Sequence, residues 1–254
     1  MFTANKYIRV KSLEEAYELN QKKNNRLVGG MLWLKMSKFN INNLIDISEL
    51  GLNKIEENEN EFIIGCMTTL RDLEINESLN KYTKNSIKES LKNIVGIQFR
   101  NSATIGGSIY GRYGFSDVLT MFLSLDTYVE LYKGGIVSLK DFINMKPDRD
   151  IIVRIILKKK NLDCVYISQR NSKTDFPIIA VCVAKYYDKF KISVGARPAK
   201  ARVMEFDINK SNEYIISFIS NNFEFNSNMR ASADYRKYIT NVFIRRALVS
   251  LRGE

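Results

Sequence analysis

The chain has 254 residues, 39 Lys and Arg against 28 Asp and Glu, a formal net charge of +11, and 45% apolar with 26% charged residues. Those proportions belong to a folded protein and exclude a disordered tail, a collagen-like repeat and a low-complexity scaffold. There is no histidine, which removes a Ser-His-Asp triad, an imidazole base and any His-containing zinc or haem set, and leaves chemistry to carboxylates, Lys, Tyr, Cys or an organic cofactor.

In chain order, residues 7–10 read as a short strand, and Ser12 with Glu15 forms a capping box opening a helix to about Lys22. Residues 26–28 resume as strand and stop at Gly29-Gly30; residues 43–47 have strand length. The hydrophilic stretch 56–61 separates this first α/β unit from a strand at 62–65, with helical periodicity over 69–79 and 86–94. A second glycine turn is expected at 103–108, then an apolar helix over 117–125. Residues 127–137 read as a hairpin turning at Lys133-Gly134-Gly135, and β-branched residues at 150–157 close the unit.

Beyond Lys158-Lys159-Lys160 the pattern changes to antiparallel strands at 164–168, 177–187 and 190–194. An amphipathic helix over 232–251 follows, with Tyr235, Ile239, Val242, Phe243 and Ala247 on its expected buried side. A domain boundary is placed near residue 160. The basic residues are otherwise scattered, so the charge reads as a solvated surface and not as a nucleic-acid face. Neither a signal peptide nor a membrane span is expected, and Cys66, Cys164 and Cys182 stand too far apart for a ligand set, so they read as reduced core thiols of a cytoplasmic protein. Trp33 is expected to be buried.

The two Gly-Gly pairs are the most informative local features. Removing a side chain lets backbone N–H groups approach an anion, and two such turns on neighbouring α/β units of a basic chain favour a shared phosphate-bearing ligand. Neither matches GxGxxG or GxxxxGK[ST], so no Rossmann or P-loop site is indicated.

Read together, Leu27-Val28-Gly29-Gly30, then Gln98-Phe99-Arg100-Asn101-Ser102-Ala103-Thr104-Ile105-Gly106-Gly107-Ser108 with Asp117, resemble the flavin motifs of the FAD-binding subunits of molybdenum hydroxylases, the xanthine dehydrogenase and carbon monoxide dehydrogenase group. Residues 194–201 and Asp234-Tyr235-Arg236 with Arg245-Arg246-Ala247-Leu248 resemble that group's C-terminal domain. The resemblance spans the whole chain. It implies an α+β fold: two small α/β subdomains, about 1–56 and 57–160, forming a PCMH-type FAD-binding domain, then an antiparallel sheet with flanking helices over 161–254.

It also implies FAD as cofactor, its pyrophosphate held by Leu27, Val28, Gly29, Gly30, Met31 and Leu32 on one side and by Thr104, Gly106, Gly107 and Ser108 on the other. Asp117 would serve the ribose region, and Ile151 and Ile152 would lie near the flavin; Tyr110 and Tyr113 are candidate shields for its ring. The implied partners are a molybdopterin-binding catalytic subunit and a [2Fe-2S] subunit, with NAD as electron acceptor. The chain departs from the group's pattern at Met31 and Leu32, where Thr and Asp or Asn are usual, at Ser108 for Asn, and at Gly114 for Pro. Two alternatives stay open: another acceptor, such as ferredoxin or a quinone, and a structural subunit without flavin. A basic nucleic-acid-binding module is the remaining, weaker one.

Overall fold

The computed structural model describes residues 1–253. The chain begins β1 (Thr3–Arg9), α1 (Leu13–Asn20), β2 (Arg26–Val28), β3 (Asn40–Asp46), β4 (Ile55–Glu57) and β5 (Glu61–Gly65). Short helices follow: α2 (Leu70–Ile75), α3 (Glu77–Tyr82), α4 (Ser86–Leu91), α5 (Ile97–Arg100), α6 (Ile105–Tyr110) and α7 (Asp117–Ser124). Then come β6 (Thr127–Leu131), β7 (Gly135–Ser138), α8 (Leu139–Phe142), β8 (Ile152–Lys158), β9 (Asp163–Gln169), β10 (Ile179–Lys185), β11 (Lys189–Gly195) and β12 (Arg202–Asp207). The helices α9 (Asn212–Asn222) and α10 (Ala233–Arg252) end the chain.

These elements form two compact units, each drawn from several stretches of chain. One takes Met1–Asp72, Ile97–Tyr110 and Thr127–Lys158; the other takes Leu73–Gly96, Gly111–Asp126 and Lys159–Glu254.

The first unit holds two sheets. In the smaller, β1 and β2 flank β3, all parallel, and α1 lies in the crossover that carries the chain from β1 past the β3 position to β2. Ser12 caps α1 by accepting from the Glu15 N–H at 3.1 Å, as the sequence predicts, but the Glu15 carboxylate reaches the Lys11 N–H, one residue earlier than a standard box. The larger sheet is antiparallel, ordered β4-β5-β8-β6-β7. Ile64, Ile155 and Val129 face one another across three strands and are fully buried. The acidic stretch read as a separator contains β4: its exposed Glu56 and Glu57 pair as an edge strand, where charged residues blunt further pairing.

In the second unit a four-stranded antiparallel sheet, β12-β11-β10-β9, has helices on both faces. Ile179, Val181 and Val183 of β10 bury one face among Ile215 and Ile219 of α9 and Phe243, Ile244 and Leu248 of α10. The alternate residues are small because α7 rides close on the other face. Ser124 Oγ donates to Cys182 Sγ at 2.8 Å, and a Cβ at Gly195 would fall 1.9 Å from Thr120 Oγ1. Burial on both faces makes β10 a nearly continuous apolar run.

Several expected elements shift. The helix expected over 69–79 breaks at Asn76, whose side chain caps α3 by accepting from Leu79 N–H at 2.8 Å. The turn expected at 103–108 is the first turn of α6, with both glycines helical. On α10 the buried stripe is rotated from the expected one: Arg236, Thr240, Phe243, Ile244, Ala247 and Leu248 face inward and Tyr235 is exposed. The Arg236 guanidinium donates to the carbonyls of Ile178 and Ala196 and to Asn228 Oδ1, which compensates its burial. All three cysteines are buried, as expected.

Candidate functional site

Within the first unit the two glycine segments lie against each other. After β2 the chain passes Gly29, where a Cβ would stand 2.9 Å from Thr104 Oγ1, and Gly30, where it would stand 1.8 Å from the Ser102 carbonyl oxygen. On the facing segment a Cβ at Gly106 would meet Cys66 at 2.7 Å, while Gly107 is exposed, with Thr104 Oγ1 3.1 Å from its added Cβ. None of these four has a positive φ; Gly30 and Gly106 are required by close approach of another stretch of backbone, whereas Gly29 and Gly107 face the Thr104 side chain. Ser102 and Cys66 complete the arrangement through backbone atoms, and nothing in their side chains marks them in the sequence.

The two segments differ in the donors they leave available. Ile105 and Gly106 N–H donate to the carbonyls of Thr68 and Cys66 at 3.0 and 2.9 Å. Gly107 N–H donates to Thr104 Oγ1 at 3.2 Å, Ser108 N–H to the Thr104 carbonyl at 3.0 Å, and Ser108 Oγ to that same carbonyl at 2.9 Å. The second segment therefore spends the N–H groups of Ile105 to Ser108 inside the chain, and the expectation that both segments present an array of them to an anion fails there. Its remaining offer is the Thr104 N–H, which meets no acceptor among the described residues, the Thr104 hydroxyl proton and the bare surface of Gly107. In the loop 29–32, by contrast, the N–H groups of Gly29, Gly30, Met31 and Leu32 meet no acceptor among the described residues. This is the donor array an anion needs.

Leu27 and Val28 hold the loop's root: they pair with Ile45 and Asp46 of β3, and Val28 is buried with Ile41 and Leu44. Met31 stands in the left-handed region at φ 58°, and its side chain packs on that same small cluster. The apolar residue in place of the usual Thr thus anchors the loop, while its N–H meets no acceptor among the described residues. Met31→Thr is expected to cost about 1–2 kcal/mol, because a β-branched residue tolerates this φ poorly and the packing is lost. Chemical denaturation measures it. A Thr variant as stable as the parent would refute the anchoring role.

Ile151 and Ile152, entering β8, are buried at 1% and 5% exposure. Trp33 is 40% exposed, against expectation, since the short 3-10 turn Leu34–Met36 turns it outward. Tyr110 at the end of α6 donates to the Asp148 carbonyl at 2.7 Å.

Asp117 belongs to the second unit. It does not cap its helix; Ser116 does, accepting from Leu119 N–H at 3.1 Å. The Asp117 carboxylate is buried, with Arg170 Nη2 2.5 Å from Oδ1 and the Tyr166 hydroxyl donating to the same oxygen. Burial pushes its pKa up, against the pull of Arg170 and Tyr166. Tyr113 stacks on Phe115 at 5.2 Å, also in this unit. A cleft of about 230 Å3 in the second unit, lined by Asp126, Lys160, Tyr186, Lys189 and Glu205 among others, contains none of the expected site residues.

Burial raises the thiols of Cys66 and Cys164 to about 12, which leaves them unreactive at neutral pH. Among the described residues no group of three or more Cys, Asp or Glu is placed to hold a metal ion, and no helix is long and apolar enough to cross a membrane.

Residues 2–159 match the sequence profile of the FAD binding domain in molybdopterin dehydrogenase. The uncharacterized protein YgfM of Escherichia coli K12 is 24% identical over 246 residues, 94% of this chain and 93% of that protein. Among solved structures, a chain of reconstituted CO dehydrogenase from Oligotropha carboxidovorans superposes with a TM-score of 0.84 at 21% identity. A chain of quinoline 2-oxidoreductase from Pseudomonas putida 86 gives 0.84 at 16%. Each alignment covers 98% of this chain and 97% of the other. The α+β architecture is shared with both.

Proposed function

The chain belongs to the family of FAD-binding domains of molybdopterin dehydrogenases, and from that premise we propose that it is the flavin-bearing electron-transfer subunit of a molybdenum hydroxylase complex. The cofactor of the family is FAD. The observation that carries the reading is the loop 29–32, whose four N–H groups meet no acceptor among the described residues, beside a glycine-lined approach.

The residues present fit a diphosphate. Gly29, Gly30, Met31 and Leu32 would donate from the backbone, Leu27 and Val28 would fix the loop's root, and the Thr104 hydroxyl would donate across the gap left by Gly29. Gly107 would admit the ligand without a side chain in the way, with Ser108 closing that turn. Ile151 and Ile152 would supply apolar support. Asp117 keeps the ribose assignment on the resemblance alone. Met31 and Leu32 cost side-chain hydrogen bonds but no backbone donor, which favours a flavin-binding subunit over a purely structural one.

When bound, FAD supplies the redox chemistry. The chain's own residues bind and orient it, and no proton transfer by a side chain is needed, which suits a sequence without histidine. The proposed partners are a molybdopterin-binding subunit and a [2Fe-2S] subunit; the proposed acceptor is NAD. Anaerobic mixing of the purified flavoprotein with NADH, followed at the flavin band near about 450 nm, tests the acceptor. Bleaching is the expected result. Full flavin occupancy that dithionite bleaches and NADH does not would exclude NAD and favour ferredoxin or a quinone. A purified chain that takes up no FAD would overturn the flavin reading itself.

A further inference from the structure

We propose that Arg149 is a positioning residue of the flavin site, a side-chain clamp that sets where the loop 29–32 stands relative to α6 and the start of β8. The proposal rests on the flavin-binding reading for its consequence, though not for its geometry.

Helix α1 ends without a basic residue in its last turn, so its final carbonyls and the negative end of its dipole need a partner from elsewhere. Arg149, remote in sequence, provides it. Its Nε donates to the Asn20 carbonyl, and Nη2 donates to the carbonyls of Lys22 at 2.7 Å, Lys23 at 3.2 Å and Asn25 at 2.9 Å. The contact is reciprocal: the side-chain amides of Asn20 and Gln21 donate to the Arg149 carbonyl at 2.7 and 3.2 Å. Asn25, fully buried, is the last residue before β2 and the glycine loop. Its side chain accepts from Asn43 N–H at 3.2 Å and donates to the Leu19 carbonyl at 2.7 Å.

The other side of the clamp leads to the remaining site segments. Asp148, next to Arg149, takes the Tyr110 hydroxyl on its carbonyl, and Tyr110 ends the helix that carries Gly106 and Gly107. Asp150 accepts from the Lys133 and Gly134 N–H groups, fixing the chain as it enters Ile151 and Ile152. The three segments assigned to the cofactor therefore converge on residues 148–150. A planar guanidinium spanning several carbonyls holds an angle between elements that an ammonium, as a point charge, does not.

The test compares the full chain with Arg149→Lys and Arg149→Met by hydrogen exchange without flavin, and by FAD titration. Both variants are expected to exchange faster at amides 25–28, the turn and strand that root the loop, and to bind FAD at least about tenfold more weakly, since a loss of 1.4 kcal/mol in holding the loop is one decade in Kd. Both are expected to leave exchange in β5 and β6 of the same unit unchanged, which separates a lost clamp from a failed fold. Full retention of FAD affinity in Arg149→Lys would overturn the clamp, since charge alone would then suffice. So would unchanged exchange at 25–28 in either variant. If the parent chain takes up no FAD, the flavin reading fails, and exchange at 25–28 still decides the clamp.

Discussion

Gly30→Ala is expected to destabilise the first unit by about 3 kcal/mol or more and to strip the flavin, because its methyl group would lie 1.8 Å from the Ser102 carbonyl oxygen and 2.6 Å from its carbon. Both are backbone atoms, so no side-chain rotation relieves the overlap. Gly107→Ala is the contrast. Its Cβ would meet only Thr104 Oγ1 at 3.1 Å, on an exposed helical position, where alanine adds about 0.5–1 kcal/mol of helix propensity. That variant should keep its fold and lose part of its FAD affinity. Denaturation midpoints with flavin content at 450 nm (about the position of the flavin band) separate the two. A Gly30→Ala protein as stable and as yellow as the parent would show that the two backbones do not approach as described.

Asp117→Asn carries the second large effect. It leaves the Arg170 guanidinium buried without its carboxylate, and an unpaired buried charge costs about 3–5 kcal/mol. Removing both charges, as Asp117→Asn with Arg170→Met, should recover much of that loss, so the two changes will not add. Arg170→Met alone should depend on pH. Burial already holds the Asp117 pKa above its ordinary value, and losing Arg170 removes the strongest opposing influence. A carboxyl raised in the folded state binds more protons folded than unfolded, so its ionisation lowers stability as pH rises through the folded pKa. The Arg170→Met deficit should therefore be larger at neutral pH than in mild acid, which urea unfolding at the two values measures. Equal deficits would mean that Asp117 does not ionise against burial.

Much was legible in the residues. Composition and the missing histidine left chemistry to carboxylates, Lys, Tyr, Cys or an organic cofactor; the glycine pairs pointed to a phosphate-bearing ligand and, with their neighbours, to the family that the profile match shows. Strands β6 to β11 fell where alternation and β-branching placed them, because those signals are local and the buried faces are continuous. The edge strand β4 was hidden by its charges. The polar face of α9 and the mixed pattern of β12 likewise left no strong period to read.

What the tertiary structure alone decided concerns backbone and distance. No local pattern says that the N–H groups of α6 are taken by Thr68, Cys66 and Thr104, while those of the loop 29–32 are not. That partition depends on which carbonyls the fold brings near, and the glycine pairs look alike until it is known. Arg236 reads as a solvated arginine in the sequence and is a buried one in the structure, since carbonyl acceptors from distant segments meet it there. Arg149 reads as one charge in a loop until its guanidinium meets the end of α1 more than a hundred residues away. Side-chain chemistry and periodicity are written along the chain, whereas hydrogen-bond satisfaction is settled between remote backbones, and the partition of N–H groups between the two glycine segments is of that second kind.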